Sequence, residues 1–174
     1  MIERERKYRL TEGDAGRLAT ALERLATLER REVQDTVHFS DARGRLDGLN
    51  LRLRVIDTRQ ELTVKGPRLE SGRSKVREEH TIVLDGDMEP VLAALGLVAT
   101  ERYRKRTTIY AFEGALVSLD EVDGLGRFCE VEAADDATIE LVAAQLGLTD
   151  EALEARGYAR LVRSGPRRGV DEVE

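Results

Sequence analysis

The sequence has one cysteine and no long apolar run, and both absences limit what the protein can be. Cys129 has no second cysteine to pair with, so the chain has no internal disulfide framework and suits a reducing compartment. No apolar stretch approaches the ~20 residues that a membrane-spanning helix needs. Charged residues begin at Glu3, so we expect no signal peptide. The expected location is the cytoplasm, with no membrane partner.

The sequence also has no block of lysine and arginine residues. The formal net charge is −6, which argues against long nucleic acid as a partner. The length of 174 residues predicts a single domain with a sizeable core. Charged residues make up 36% of the chain, more than the usual quarter or so. An internal cavity lined by charged side chains is one place that could hold this excess.

Charged residues alternate with aliphatic residues in several short segments. Glu3, Glu5 and Lys7 stand two apart, so on a strand their side chains share one face. The same pattern returns in segments 51–55, 62–65, 104–106 and 128–132. A closed sheet that turns these charged faces inward would form a tunnel lined by both signs of charge. Its acids could hold metal ions, and its bases could hold a polyanion.

The pattern predicts about eight mostly antiparallel strands and three or four helices, an α+β protein. Leucine and alanine residues recur at intervals of three and four between Asp14 and Leu28, which is typical of an amphipathic helix. A further helix is predicted from Thr149 through Arg156, and a polar loop at 70–74. The domain is predicted to cover 1–163, and the polar segment 164–174 reads as a disordered tail.

Six motifs in order resemble the CYTH superfamily, also called triphosphate tunnel metalloenzymes. The first is Glu3-x-Glu5-x-Lys7, which is weak alone. The others are Leu51-Arg52-Leu53-Arg54, Leu62-Thr63-Val64-Lys65-Gly66-Pro67, Arg77-Glu78-Glu79, Arg104-Lys105-Arg106, and the stretch from Ser118 through Gly126 to Glu132. The resemblance runs from residue 2 to about 163. It implies an eight-stranded antiparallel closed β-barrel with a charged tunnel, flanked by helices.

The resemblance also implies a role for each charged position. The residues that would hold Mg²⁺ or Mn²⁺, which take oxygen ligands, are Glu3, Glu5, Glu79, Asp120, Glu130 and Glu132. The residues that would bind a triphosphate are Lys7, Arg52, Arg54, Lys65, Arg77, Arg104 and Arg106. Among these, Lys7 and Lys65 are the candidate catalytic residues.

The motifs leave three functions open. The Lys-Gly-Pro and Gly-Leu-Gly stretches are most similar to the class IV adenylate cyclase branch. The first candidate function is therefore conversion of ATP to cyclic AMP and pyrophosphate. Hydrolysis of inorganic triphosphate or thiamine triphosphate is the alternative with the same apparatus. A module that binds polyphosphate or nucleotide without turnover is the third. The expected assembly is a monomer or a homodimer.

Several other residues are predicted to be structural. His38 and His80 have no ligand-spaced partner, so each is predicted to be a hydrogen-bonded structural histidine. Cys129 alternates with the charged positions around it and should lie in the outer apolar core. Lys105 and Glu121 are predicted to face solvent, opposite in phase to Arg104, Arg106 and Asp120.

Overall fold

A computed structural model of the chain describes residues 1–70 and 72–165. These residues form one barrel with helices packed on its outside. The predicted tail begins at Ser164, which ends the last helix; residues 166–174 lie outside the described ranges. No helix in the described part of the chain is long and apolar enough to cross a membrane.

Eight antiparallel strands close into a barrel in the order β1-β5-β4-β3-β2-β6-β7-β8. The strands are β1 (Ile2–Leu10), β2 (Thr27–Ser40), β3 (Asn50–Ile56), β4 (Arg59–Arg68), β5 (Lys75–Leu84), β6 (Val98–Phe112), β7 (Ala115–Val122) and β8 (Gly126–Glu132). Closure comes from β1, which pairs with β5 on one side and β8 on the other. The predicted eight-stranded antiparallel closed barrel is confirmed.

Residues with positive φ make the tight hairpin between β6 and β7. Glu113 has φ 49° and Gly114 has φ 80°, so both central residues lie in the left-handed region. A two-residue hairpin whose twist matches its strands requires this conformation, and glycine adopts it without steric cost. The Glu-Gly pair therefore fixes the register in which Thr107 lies opposite Asp120.

Four helices pack on the barrel: α1 (Glu12–Leu25), α2 (Glu89–Ala94), α3 (Asp136–Gln145) and α4 (Tyr158–Ser164). Thr11 caps α1, because its hydroxyl accepts a hydrogen bond from the Asp14 amide. The helix predicted from Thr149 to Arg156 is wrong, since only a 3₁₀ turn forms at Asp150–Ala152. The chain then runs extended: Leu153 bridges to Tyr8, and the Glu154 amide donates to the Lys7 carbonyl. Pairing with β1 outweighs the local helix preference here.

The apolar core lies outside the barrel wall, beneath α1 and α3. Its fully buried members include Leu18, Leu22, Val117, Cys129, Val131, Ile139 and Val142. The prediction that Cys129 is a core residue is confirmed. Because side chains alternate along a strand, the residues between these outward apolar positions point into the barrel.

The helix α4 covers one end of the barrel. Its Tyr158 and Leu161 are buried against Val122 and Phe128. This apolar cluster separates the charged interior from solvent at that end.

Candidate functional site: a charged tunnel

A cavity of about 760 Å³ runs through the barrel and is lined mainly by charged side chains. Ten of the predicted site residues line it: Glu3, Glu5, Lys7, Arg52, Arg54, Lys65, Arg77, Glu79, Glu130 and Glu132. They come from five strands of the sheet. The strand alternation therefore brings most of the predicted set into one space, as the inward-facing tunnel hypothesis requires.

Four lysine residues form ion pairs with the acids of this tunnel: Lys7, Lys65, Lys75 and Lys105. Lys65 lies between Glu3 and Glu79; its ammonium is hydrogen-bonded to the first and 2.8 Å from Oε2 of the second. The Lys75 ammonium is 3.0 Å from the Glu5 carboxylate. These side chains are largely buried, so each pair compensates a charge that burial would otherwise penalise.

Lys7 joins the tunnel wall to the segment that covers its end. Its ammonium lies 3.2 Å from Glu130 and 3.5 Å from the centre of the Tyr158 ring. It also donates a hydrogen bond to the Arg156 carbonyl oxygen. Three kinds of contact hold this ammonium in one position inside the cavity.

The arginine residues of the tunnel keep hydrogen-bonding capacity to spare. Nε of Arg52, Arg54 and Arg77 is buried, with no hydrogen-bond partner among the described residues. Arg52 contacts Glu79 at 3.5 Å. Burial and the nearby Arg52 lower the pKa of Arg54 below its ordinary value. Buried guanidinium donors without acceptors are well suited to bind phosphate oxygens, which accept two hydrogen bonds from one arginine.

Two carboxylates of the tunnel are poorly neutralised. Burial and the neighbouring Glu3 and Glu5 raise the pKa of Glu132 to about 7. Burial and Glu5 raise the pKa of Glu3, despite its contact with Lys65. The Glu3 Oε2 atom is buried and has no hydrogen-bond partner in the described structure. Glu5 and Glu132 lie directly opposite each other on β1 and β8.

The carboxylates of this acidic corner (Glu3, Glu5 and Glu132) fit a divalent cation. The donor set consists of oxygens, which Mg²⁺ and Mn²⁺ prefer, and an added positive charge would relieve the repulsion that raises the pKa of Glu132. The unpartnered Glu3 Oε2 is a free ligand atom. No three acidic, histidine or cysteine side chains of the described ranges already converge as a metal cage. Lys65 and Lys75 hold Glu3 and Glu5 as ion pairs instead.

The sequence of the chain matches the CYTH domain over residues 1–158. This protein belongs to the CYTH family.

Individual CYTH relatives agree with that assignment. A Methanocaldococcus jannaschii protein named "Putative adenylate cyclase" is 31% identical over 137 residues, 76% of this chain and 77% of that one. A Pyrococcus horikoshii structure has a TM-score of 0.78 at 25% identity, covering 92% of this chain and 99% of its own. A structure from Hippeastrum, described as a "Putative adenylyl cyclase" that reveals a dominant triphosphatase activity, has a TM-score of 0.77 at 20% identity. It covers 98% of this chain and 100% of its own, and at that identity it supports the fold alone.

The predicted phase of strand β6 is wrong in this CYTH tunnel. Arg104 and Arg106 point outward, where they contact Asp35 at 2.7 Å and Asp123 at 2.8 Å with half of each arginine side chain exposed. Lys105, predicted to face solvent, is buried and lines the cavity. The apolar core sets this phase, because Tyr110 and Phe112 pack under the helices on the outer face of β6. Every second residue of a strand shares a face, so Arg106 and Arg104 lie on the same outer face.

Asp120 also lies outside the cavity, although it points into the barrel. Its carboxylate is 2.9 Å from the Lys105 ammonium and accepts a hydrogen bond from the Tyr158 hydroxyl at 2.7 Å. Burial raises its pKa, but Lys105 and the hydrogen bonds outweigh this, so the pKa is lowered overall. Covered by Tyr158, Asp120 anchors α4 to the barrel rather than joining the acidic corner.

Sequence reasoning missed several residues that line the CYTH tunnel. They are Lys75 and Lys105, the aromatic residues His38, Tyr103 and Tyr158, and further charged groups at Arg30, Glu32, Arg59, Glu61, Arg68 and Arg160. Lys75 could have been found from Arg77 and Glu79, because the three share one strand face. Tyr158 could not, since its position depends on how α4 folds back over the end of the barrel.

Proposed function

We propose that this protein is a divalent-metal-dependent enzyme that acts on a triphosphate substrate. The observation that carries the proposal is that one cavity holds two kinds of unsatisfied group. Its arginines have buried donors without acceptors, and two of its carboxylates, Glu3 and Glu132, have a raised pKa because positive charge does not fully compensate them. A triphosphate with its bound cation would complement both, because the anion satisfies the arginines and the cation satisfies the acids.

The residues of the chain would bind and position the substrate. Arg52, Arg54 and Lys65 would hold phosphate oxygens, the arginines through paired hydrogen bonds. Glu3, Glu5 and Glu132 would hold the metal, which neutralises the polyanion and activates the attacking oxygen when bound. Lys7, fixed by Tyr158 and Glu130, would stabilise charge that develops on the leaving group.

The first candidate reaction is the cyclase-like one. In it the ribose 3′-oxygen attacks the α-phosphorus of ATP, loses its proton and releases pyrophosphate, giving cyclic AMP. The M. jannaschii relative bearing an adenylate cyclase name, at 31% identity, favours it. The cavity of about 760 Å³ also has room for a nucleoside beside the triphosphate.

The second candidate is hydrolysis of inorganic or thiamine triphosphate, in which water attacks the terminal phosphorus, loses a proton and expels the diphosphate, so that the terminal group is released as phosphate. The Hippeastrum protein, which has the same fold, is described as having a dominant triphosphatase activity. Arg52, Arg54 and the acidic corner would serve this chemistry equally well, because they meet phosphates rather than the organic part.

The test is to incubate the protein with ATP, inorganic triphosphate or thiamine triphosphate, each with Mg²⁺ or Mn²⁺, and to identify the products. Cyclic AMP plus pyrophosphate supports the first reaction, and release of phosphate supports the second. Excess chelator should abolish either one. Tight binding without any product would instead support the non-catalytic module, and turnover undiminished in chelator would overturn the metal requirement.

A matched pair of variants links the activity to the cavity. Arg54→Gln removes a buried tunnel charge, whereas Arg106→Gln removes an exposed charge on the outer wall. We expect the first to lower turnover of every triphosphate by roughly a hundredfold, in line with the loss of one preorganised charge donor. Equal effects from the two variants would contradict the tunnel as the site.

A further inference from the structure

Three aromatic rings form a continuous wall at one end of the charged cavity. His38 of β2 stacks on Tyr103 of β6 with ring centres 5.8 Å apart and planes 26° apart. Tyr103 in turn lies 5.8 Å from Tyr158 of α4, with planes tilted by 58°. All three residues line the cavity. In a tunnel lined mainly by charges, this aromatic wall (His38, Tyr103 and Tyr158) is the part suited to an uncharged planar group.

Packing against the α4 cluster accounts for Tyr158 and for part of Tyr103, but not for the polar edge of His38. His38 is only 7% exposed, yet its Nε2 has no hydrogen-bond partner among the described residues. Tyr103 is partly exposed on the cavity side of its strand. The buried, unpartnered nitrogen of His38 costs free energy in the empty protein, and the accessible ring face of Tyr103 makes no contact there. A ligand with a polar heterocycle would bind to both.

The register of the sheet places this wall beside the phosphate-binding candidates. Thr36 of β2 lies opposite Arg54 on one neighbouring strand and opposite Tyr103 on the other. Arg54 and Tyr103 are therefore two strands apart, about 10 Å at ordinary strand spacing. His38 lies directly opposite Arg52. One molecule could place phosphates on the arginines and a ring on Tyr103.

We infer that the aromatic wall binds the heterocycle of an organic triphosphate, so that Tyr103 and His38 select organic over inorganic triphosphate. This inference rests on the proposed function of the tunnel as a triphosphate site. A nucleobase and the aminopyrimidine ring of thiamine share the recognised chemistry, a flat polar heterocycle linked to a triphosphate. Stacking suits either ring, because aromatic side chains bind base faces with little sequence preference.

His38 is suited to this role because it stays neutral. Burial and the positive charge of Arg52 lower its pKa to about 4, while Glu101 and Asn50 act in the opposite direction. Around neutral pH the ring can therefore stack and offer a nitrogen without adding a charge to the wall. The neutral wall would bind the organic end of a ligand, and the neighbouring arginines would bind its phosphates.

The test compares binding of two non-hydrolysable ligands by calorimetry in the presence of Mg²⁺: methylene-bridged ATP and methylene-bridged inorganic triphosphate. Tyr103→Leu removes the ring face but keeps apolar bulk, and Tyr103→Phe keeps the ring. The readout is the ratio of the two affinities, compared between variants so that the charge difference of the ligands cancels. We expect Tyr103→Leu to lower the organic-to-inorganic ratio at least about fivefold, and Tyr103→Phe to preserve it.

Competition with thiamine triphosphate distinguishes the two sources of the ring. Weaker thiamine triphosphate binding by Tyr103→Leu, with ATP analogue binding unchanged, would assign the wall to thiamine, and the reverse would assign it to a nucleobase. If the affinities for both the ATP analogue and thiamine triphosphate, each relative to inorganic triphosphate, are unchanged in every variant, the inference alone is overturned. A wild-type protein that binds neither organic nor inorganic triphosphate would overturn both the inference and the proposed function.

Discussion

Two groups of carboxylates in the same tunnel differ in their ionisation. Lysine neighbours keep the pKa of Glu5 and Glu130 below the ordinary value although burial acts in the opposite direction. Burial and neighbouring carboxylates instead raise the pKa of Glu3 and Glu132. All four residues are glutamates, so the number of nearby ammonium groups decides whether the pKa is raised or lowered. The paired acids hold the interior of the barrel together, and the underpaired acids are where an added cation would stabilise it.

The largest expected effect comes from breaking the buried ion pair between Lys105 and Asp120, which lies beside the tunnel. Lys105→Met leaves Asp120 buried without its ammonium partner, and an uncompensated buried charge costs about 3–5 kcal/mol. Urea denaturation of the ligand-free protein measures the loss. The double variant Lys105→Met with Asp120→Asn removes both charges and should recover part of it. A single variant as stable as wild type would mean that Lys105 does not neutralise Asp120.

Triphosphate with Mg²⁺ should stabilise the folded protein, because the cation would compensate the carboxylates that lack enough ammonium partners. Triphosphate with Mg²⁺ at a hundred times the dissociation constant should stabilise the protein by about 2.7 kcal/mol, since it binds only the folded state. For a chain of this length the melting temperature should rise by roughly 5–10 °C. Differential scanning fluorimetry measures the shift. Inorganic phosphate or chelator-treated triphosphate should give less, and no shift with saturating triphosphate and metal would exclude the charged tunnel as the binding site.

Glu132→Gln should abolish part of the pH dependence of stability. Because its folded pKa of about 7 exceeds the ordinary 4.5, the stability contributed by Glu132 is fully present below about pH 4.5 and is lost as pH rises through about 7. Glutamine does not ionise, so this loss is absent from the variant. In the ligand-free state, the stability of the variant relative to wild type should therefore be higher at pH 8 than at pH 5. The Glu132 side chain is exposed to solvent, so we expect a gain of only roughly 1 kcal/mol after solvent screening.

Thermal unfolding of wild type and Glu132→Gln at both pH values checks this prediction. The same substitution in the paired region, Glu130→Gln, is the control. It should not stabilise at pH 8, because Lys7 already neutralises Glu130. Identical pH profiles for wild type and Glu132→Gln would contradict the view that this carboxyl is underpaired.

The smallest expected effect lies on the outer wall. Arg104→Gln breaks an ion pair with Asp35 in which both side chains are half exposed, and such pairs contribute about 1 kcal/mol or less. We expect unchanged triphosphate affinity and a stability change within that limit. Calorimetric binding and urea denaturation measure the two quantities. A large loss of triphosphate affinity would restore the prediction that this strand turns Arg104 inward.

The barrel and most of its lining could be predicted because strand alternation carries the information directly. Glu3, Glu5 and Lys7 share a face by spacing alone, and the paired motifs on later strands repeat it. The prediction of which side chains point inward was wrong at Arg104-Lys105-Arg106, because three consecutive basic residues do not distinguish one face of the strand from the other. Only the aromatic residues farther along that strand, which pack under the helices, set the phase.

Other parts of the site depend on contacts that no local pattern encodes. Asp120 matched a metal-ligand position, yet the Lys105 ammonium and the Tyr158 hydroxyl both contact its Oδ2, and α4 covers it. The aromatic wall combines residues from β2, β6 and α4, which meet only once the barrel has closed. His38 was predicted to be a hydrogen-bonded structural histidine, but it lines the cavity and its buried Nε2 has no hydrogen-bond partner in the described structure.

The seam between β1 and β8 has a consequence for how the chain folds. It joins the two ends of the barrel sequence, so it is the most non-local pairing of the sheet, and such pairings form slowly. At this seam Glu5 lies opposite Glu132, and like charges placed directly opposite each other destabilise a strand pair. We therefore expect the rate of barrel closure to rise when protons or divalent cations neutralise the seam, so that refolding kinetics respond to the same ions as the mature site.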